Sequence, residues 1–329
     1  MESKNILVTG AAGFIGYHLI KSLCKDNHQV IGLDNLNDYY DKDLKLLRLK
    51  EIKSDAFKFF EVDINDEKSL IKIFEEFKFD RVIHLAAQAG VRYSLINPIA
   101  YSDSNLSGFT KIIDLAKNFD IDHFVYASSS SVYGKSDKVP FKESDPIEGM
   151  VSLYAATKRS NELIASVYSH LYGMPTTGLR FFTVYGPFGR PDMAYFKFTK
   201  AIVENRPIQV FNHGNLFRDF TYIDDIVDGI SKIHSVIPSK VGSEGNQFAS
   251  EVYNVGNGNP INLLDFIKEL ELNLDKSAEK ILVDMQPGDV DKTFADIGKL
   301  NSAIGYEPKI SFKDGIKIFI DWYKTFYKI

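Results

Sequence analysis

The chain is poor in cysteine, in arginine and in long apolar runs, and each scarcity excludes something. Its 329 residues contain one cysteine, Cys24. No intramolecular disulfide and no cysteine-based metal cluster can form, no metal site is expected, and a lone thiol fits a reducing compartment. No apolar run approaches the roughly 18 residues of a membrane-spanning helix. The opening residues 1–10 pass from a short apolar stretch straight into a glycine turn, unlike a secretory leader. A cytoplasmic location without membrane association is expected. An excess of positive charge is also missing, because 39 Lys plus Arg face 44 Asp plus Glu for a net charge of -5. Broad electrostatic binding to nucleic acid is therefore not expected. Only eight residues are arginine (Arg48, Arg81, Arg92, Arg159, Arg180, Arg190, Arg206 and Arg218), which leaves 31 lysines. Base composition accounts for that bias; where the few arginines sit is a separate question.

What is present is apolar periodicity. Hydrophobic residues make up 44% and charged residues 25%, enough for a sizeable core. The length suggests about two domains. Residues 6–8, 30–33, 58–62, 81–85 and 123–127 read as strands, with helical spacing at 14–23, 70–77 and 106–115. Strands alternating with helices predict an α/β fold, a doubly wound parallel sheet of Rossmann type. Residues 175–182 read as a further strand, and 252–255 as a late strand able to rejoin the sheet. The turn-rich stretch with Gly186, Pro187, Gly189 and Pro191 marks a boundary. Residues 1–182 form the first unit, with 220–258 returning to it, and 183–329 form a smaller C-terminal α/β unit. The aromatic, basic tail 322–329 reads as a docked helix. The Asn105-Leu106-Ser107 sequon is a chance match.

Gly10, Gly13 and Gly16 follow the first strand and open the first helix. Glycines let the backbone turn tightly beneath a pyrophosphate, and the helix N-terminus offers free N–H groups. A bare glycine triplet can be only a turn. Here the strand, turn and helix follow in the right order, and Asp34 ends the second strand about 20 residues on, placed to accept from a ribose 2′-OH. Its carboxylate repels a 2′-phosphate, so the cofactor read from these residues is NAD. Asp63 and Ile64 after the third strand are placed to bracket the adenine. Leu85, Ala86 and Ala87 end the fourth strand with little bulk, so a flat cofactor can lie close to the backbone.

Tyr154 and Lys158 share one helix face at i,i+4. A phenol with a pKa of about 10 needs help to act as a base near neutrality, and a nearby ammonium provides it. Upstream, Ser128, Ser129, Ser130 and Ser131 end a strand, where a hydroxyl can meet both phenol and substrate.

With these segments in view, the chain closely resembles the extended short-chain dehydrogenase/reductase family. Within it, the sequence is most similar to the nucleotide-sugar epimerases of the UDP-glucuronate 4-epimerase type. The resemblance is carried by residues 34–41, 84–94, 152–158, 179–193, 218–225 and 285–290 and covers nearly the whole chain. It implies Tyr154 as base, Lys158 as its electrostatic partner and Ser129 as the catalytic hydroxyl. It extends the NAD set to Phe14, Ile15, Asn35, Asn37, Asn105 and Ser128. It implies a UDP-sugar as partner, bound mainly by the C-terminal unit. Arg218 and Asp289 match positions that hold the UDP diphosphate and ribose, and Val210 belongs to the same set. Gln286 stands where galactose epimerases often carry Arg. Arg92 is either a second cation near the diphosphate or a salt-bridged structural residue. A homodimer through a four-helix bundle is a further implication.

All these enzymes oxidise C4 first. Dehydratases and decarboxylases of the family typically carry a carboxylate after the catalytic Ser/Thr; this chain has Ser130 and Ser131, so an acid or base beside C5 is missing. Serine hydroxyls can instead donate to a uronate. The resemblance implicates Thr183 and Arg190 in holding that carboxylate, and a firmly held carboxylate resists decarboxylation. Arg190 could equally stabilise its Gly/Pro loop. The leading expectation is C4 epimerisation of UDP-glucuronate to UDP-galacturonate. The alternatives are another UDP-sugar 4-epimerase (glucose or N-acetylhexosamine), a decarboxylase or dehydratase, and a non-catalytic NAD-binding protein. Arg92, Arg180, Arg190 and Arg218 fall inside the family segments, where a planar fork suits phosphate or carboxylate; Arg180 there could be purely structural.

Overall fold

In the computed structural model, residues 2–136, 138–239, 248–286 and 289–329 are described. Strands β1 (Asn5–Thr9), β2 (Gln29–Asp34) and β3 (Phe57–Glu61) alternate with helices α1 (Phe14–Lys25), α2 (Lys42–Lys50) and α3 (Glu67–Phe77). After β4 (Arg81–His84) come two single turns, α4 (Tyr93–Ile96) and α5 (Pro98–Tyr101). A π-helical segment, Ser102–Gly108, then runs into α6 (Phe109–Asn118). β5 (His123–Ser129), α7 (Leu153–Tyr172) and β6 (Thr176–Phe181) complete the first half. The expected strands and helices are all present; the 106–115 segment differs in that its start belongs to the π turn.

Seven strands form one parallel sheet in the order β10-β6-β5-β4-β1-β2-β3, where β10 is Ser250–Val255. The late strand thus returns to the sheet edge beside β6. Strand order reverses between β1 and β4, and there the C-terminal strand ends splay to leave a crevice. Alternation within each strand feeds two cores. Ile6 and Val8 of β1 point into one with Phe14, Leu19 and Ile20 of α1, and Leu7 points into the other with Phe74, Ile112 and Phe124.

The second half builds smaller sheets. β7 (Thr183–Tyr185) and β9 (Phe217–Tyr222) run parallel, with β11 (Pro260–Asn262) antiparallel to β9. β8 (Ile208–Phe211) pairs with β12 (Lys280–Val283). Helices α8 (Ala194–Val203), α9 (Ile223–Ile233), α10 (Leu263–Leu274), α11 (Gly298–Ile304) and α12 (Phe312–Tyr327) cover them. The aromatic tail is the docked end of α12, with Trp322 against Phe188 at 5.1 Å. No described helix is long and apolar enough to cross a membrane, and among the described residues no group of three or more His, Cys, Asp or Glu could hold a metal.

Candidate active site

A cavity of about 430 Å³ opens at the crevice between β1 and β4 and extends under the second half of the chain. Its floor is the glycine turn. Gly10 has φ +72°, and a Cβ there would stand 2.8 Å from the Ala86 nitrogen. A Cβ on Gly16 would stand 2.2 Å from the Gly10 carbonyl oxygen. Only glycine lets β1, β4 and α1 meet this closely and leaves the α1 N-terminus, with Phe14 and Ile15, open to an anion. That bare cradle fits a dinucleotide pyrophosphate. Beneath it, Thr9 Oγ1 accepts from the Ala86 N–H (3.1 Å) and shares a hydrogen bond with His84 Nδ1 (2.8 Å). Burial lowers the His84 pKa to about 3, so the ring is neutral.

Asp34 lines the cavity, with Oδ2 accepting from the Ala12 N–H (3.2 Å) and Oδ1 from the Leu36 N–H (2.9 Å). Burial raises its pKa, and the charge of Lys45 opposes the rise. Lys45 donates to the Asn37 carbonyl (2.7 Å) and side-chain oxygen (2.8 Å). Leu85, Ala86, Ala87, Ile64, Asn35 and Asn37 all line the wall. Asp63 does not; its carboxylate accepts from Asn35 Nδ2 (2.8 Å), so it orients a lining residue instead. Asn105 is fully buried and also stands behind the wall. It accepts from the Gln88 N–H (2.8 Å) and donates to the Gln88 carbonyl (3.0 Å) and Thr157 Oγ1 (3.1 Å). A side chain so enclosed also excludes the sequon as a glycan site.

Nothing in the sequence reading singled out Lys45 or Arg48. Arg48 is wholly buried on α2. Its guanidinium donates to the carbonyls of Ala12 (2.9 Å), Phe188 (2.7 Å) and Gly189 (3.1 Å) and to the Tyr40 hydroxyl (2.6 Å). His18 adds a bond to the Pro187 carbonyl (3.0 Å). The glycine turn and the 187–189 loop are thereby tied to one cation. That loop holds Phe188 at φ 57°, an uncommon conformation for a non-glycine residue.

The opposite rim carries the titratable groups. Ser152 caps α7 by accepting from the Ala155 N–H (3.1 Å), which fixes the first turn bearing Tyr154. Lys158 is buried; its Nζ donates to the Ala127 carbonyl (2.9 Å), and desolvation lowers its pKa to about 8. Burial dominates and raises the Tyr154 phenol pKa, while a hydrogen bond with Ser129 and the charge of Arg190 oppose the rise. Arg190, which lines the same cavity as Lys158, is thus a second cation near the phenol. Ser129 Oγ also accepts from the Ser131 N–H (3.2 Å), shaping the turn that presents Ser130 and Ser131.

Ser128 lines the cavity as well. Its hydroxyl donates to Glu162 Oε1 (2.6 Å). Glu162 binds Arg180 bidentately at 2.8 and 2.9 Å, and Arg180 reaches the Tyr133 hydroxyl (2.9 Å). Arg180 is therefore structural.

Thr183, Arg190, Arg218 and Asp289 line the same cavity as the serine turn. Arg218 donates to the carbonyls of Phe217 (2.9 Å) and Asp291 (3.2 Å). Arg92 is salt-bridged to Asp289 at 3.3 Å and lies over the Phe211 ring. It therefore takes the paired alternative while staying beside a lining residue. Val210 departs from expectation: it is fully buried in the core, because alternate side chains of β8 point inward. The side chain of Gln286 does not line the cavity; its carbonyl accepts from the Asp289 N–H (3.2 Å). Pro287 and Gly288, part of the motif read there, lie outside the described residues.

Comparison with known proteins gives a consistent set. Residues 7–319 match the family model described as GDP-mannose 4,6 dehydratase. Protein CapI of Staphylococcus aureus is 51% identical over 331 residues, 98% of this chain and 99% of that protein. A probable UDP-glucuronate 4-epimerase of Rhizobium meliloti is 43% identical over 98% of this chain and 97% of its own length. The crystal structure of the UDP-glucuronic acid 4-epimerase of Bacillus cereus, in complex with UDP-glucuronic acid and NAD, superposes with a TM-score of 0.89 at 35% identity. It covers 98% of this chain and 100% of that one.

Proposed function

The chain belongs to the GDP-mannose 4,6 dehydratase family of short-chain dehydrogenase/reductase proteins, and from that premise we propose that it is a UDP-glucuronate 4-epimerase. It is a UDP-sugar 4-epimerase that uses NAD, and the uronate is the part we infer. One observation carries the uronate reading. Tyr154 shares a cleft with Arg190, whose charge reaches the phenol, and the turn after Ser129 presents two hydroxyls and no carboxylate.

The residues divide the work as follows. NAD, when bound in the Gly10–Gly16 cradle, supplies the acceptor and then the donor of the C4 hydride. Tyr154, as phenolate, takes the O4 proton as that hydride leaves and gives it back after the 4-keto sugar has turned. Ser129 holds O4 and the phenol in line. Lys158 fixes the β5 end through Ala127 and adds positive charge behind the phenol. Arg218 and Asp289 hold the UDP end while the sugar moves. Thr183, Ser130, Ser131 and Arg190 meet the C5 carboxylate, and its charged form, once bound, resists loss as carbon dioxide.

We further propose that residues 1–182 with 220–258 serve NAD, and that the rest of 183–329 serves the UDP-sugar. A homodimer is supported by α7, whose outer face exposes Leu163, Val167 and Leu171 at helical spacing (53%, 51% and 60% exposed). A specific observation favours the second reading, a neutral UDP-hexose, because Arg190 is paired with Asp192. Incubation with UDP-glucuronate, followed through the sugar proton resonances, separates the two. UDP-galacturonate approaching equilibrium supports the proposal, and a pentose product or no turnover overturns it.

A further inference from the structure

The fork of Arg190 is already engaged. Its Nε donates to Asp192 Oδ1 (3.0 Å) and its Nη2 to Oδ2 (2.6 Å), closing one edge of the guanidinium with a bidentate pair. The Tyr39 hydroxyl donates to the same Oδ2 (3.2 Å). Both charged side chains are only about one-fifth exposed, 22% and 21%, so solvent screens them weakly. Gly90 opens the pair to the cleft. A Cβ there would stand 3.0 Å from the Tyr39 hydroxyl, 3.7 Å from Arg190 Nη2 and 3.8 Å from Asp192 Oδ2. Its φ of +100° also suits glycine alone.

We propose that Asp192 is the specificity-determining residue of this pocket, acting by sharing the Arg190 charge between itself and the substrate carboxylate. This rests on the uronate reading above. A sugar carboxylate reaching Arg190 meets a cation whose Nε–Nη2 edge is taken and whose charge is already shared, so it is left with the outer N–H groups of Nη1 and Nη2 and the hydroxyls of Thr183, Ser130 and Ser131. The reaction needs a hold strong enough to keep the carboxylate charged and in place against decarboxylation, yet weaker than an unshared Arg190 would give. The 4-keto sugar must turn between the two hydride transfers, and a bidentate clamp at C5 would stabilise one orientation and slow the turn. Asp192 thus trades ground-state affinity for rotation. A neutral hexose has no carboxylate to compete for Arg190 and is indifferent to the trade.

The test measures affinity and turnover separately. UDP-glucuronate and UDP-glucose are titrated calorimetrically into NAD-loaded Tyr154→Phe protein, with and without Asp192→Asn. UDP-glucuronate should bind about three- to tenfold tighter with Asp192→Asn, and UDP-glucose should change by about twofold at most. With Tyr154 intact, Asp192→Asn should lower both KM and kcat for UDP-glucuronate, a split that general loosening of the loop does not produce. Unchanged or weaker uronate binding, or equal tightening of both sugars, overturns the proposal. Should a thermal melt show Asp192→Asn unfolded, Asp192→Ser supplies the neutral side chain and is read the same way. Wild-type protein that turns over UDP-glucose but not UDP-glucuronate overturns the uronate reading together with this one. Wild-type protein that epimerises UDP-glucuronate while Asp192→Asn leaves affinity unchanged overturns only the role of Asp192.

Discussion

Lys158 Nζ lies 2.9 Å from the Ala127 carbonyl oxygen, a buried ammonium held by the last residues of β5 rather than by a carboxylate. This bond ties the helix that carries Tyr154 to the strand that carries Ser129. It places a cation where solvent cannot stabilise it. Under the proposed function, this costly charge serves the phenol one turn away once substrate and NAD are bound.

Removing that charge should therefore stabilise the protein and abolish its activity. The folded pKa of Lys158, about 8, lies below its ordinary 10.5. Between those values the unfolded chain binds more protons, so wild-type stability rises with pH across that window, and the full penalty applies below it. Lys158→Met should be more stable than wild type by about 1–3 kcal/mol at pH 7, with the gap shrinking toward pH 10. Denaturant midpoints across pH 7–10 measure this. A destabilised variant at pH 7 contradicts the assignment.

Tyr154→Phe should lower turnover by about 10²- to 10⁴-fold while bound NAD stays at its wild-type level. Phe keeps the ring, which packs edge-on against Tyr101 at 6.0 Å, so the cleft should hold its shape. Bound cofactor is read by absorbance after denaturation. Surviving activity would remove Tyr154 as the base.

Arg48→Met should destabilise the fold by about 2–4 kcal/mol, because it leaves the carbonyls of Ala12, Phe188 and Gly189 without their buried donor. NAD affinity should fall with it, since Ala12 belongs to the glycine turn. Arg48→Lys should rescue little, because one ammonium cannot span three carbonyls and a phenol. Thermal melts with and without NAD check both effects.

Substitution of Thr183 or Arg190 should raise the ratio of decarboxylation to epimerisation, because a less firmly held carboxylate leaves more readily. Pentose and hexuronate products are counted in the same proton spectra. An unchanged ratio removes both residues from the carboxylate role.

Much of this was legible in the residues themselves. Short apolar runs and helical spacing located the strands and helices, and even the late strand Ser250–Val255 was legible at residues 252–255 before Gly256. The glycine turn and the Tyr154–Lys158 pair are local, so their spacing carries their geometry. What stayed hidden depends on contacts between distant segments. Arg48 meets Phe188 across 140 positions, and no local pattern separates it from a surface arginine on a polar helix. The direction of the Ser128 hydroxyl was set by Glu162, 34 positions away, and the inward face of Val210 by its strand's place in the second half. The pairing of Arg190 with Asp192 lies only two residues off, yet it depends on a loop shape that Arg48 and His18 impose from the first half.

The central claim, that Tyr154 and NAD invert C4 of a UDP-hexuronate by oxidation and return of the same hydrogen, is tested most directly with UDP-glucuronate deuterated at C4. The account predicts UDP-galacturonate that retains deuterium at C4 with inverted configuration, and no such product from Tyr154→Phe. Deuterium lost to solvent, a pentose product, or an inert substrate would contradict it.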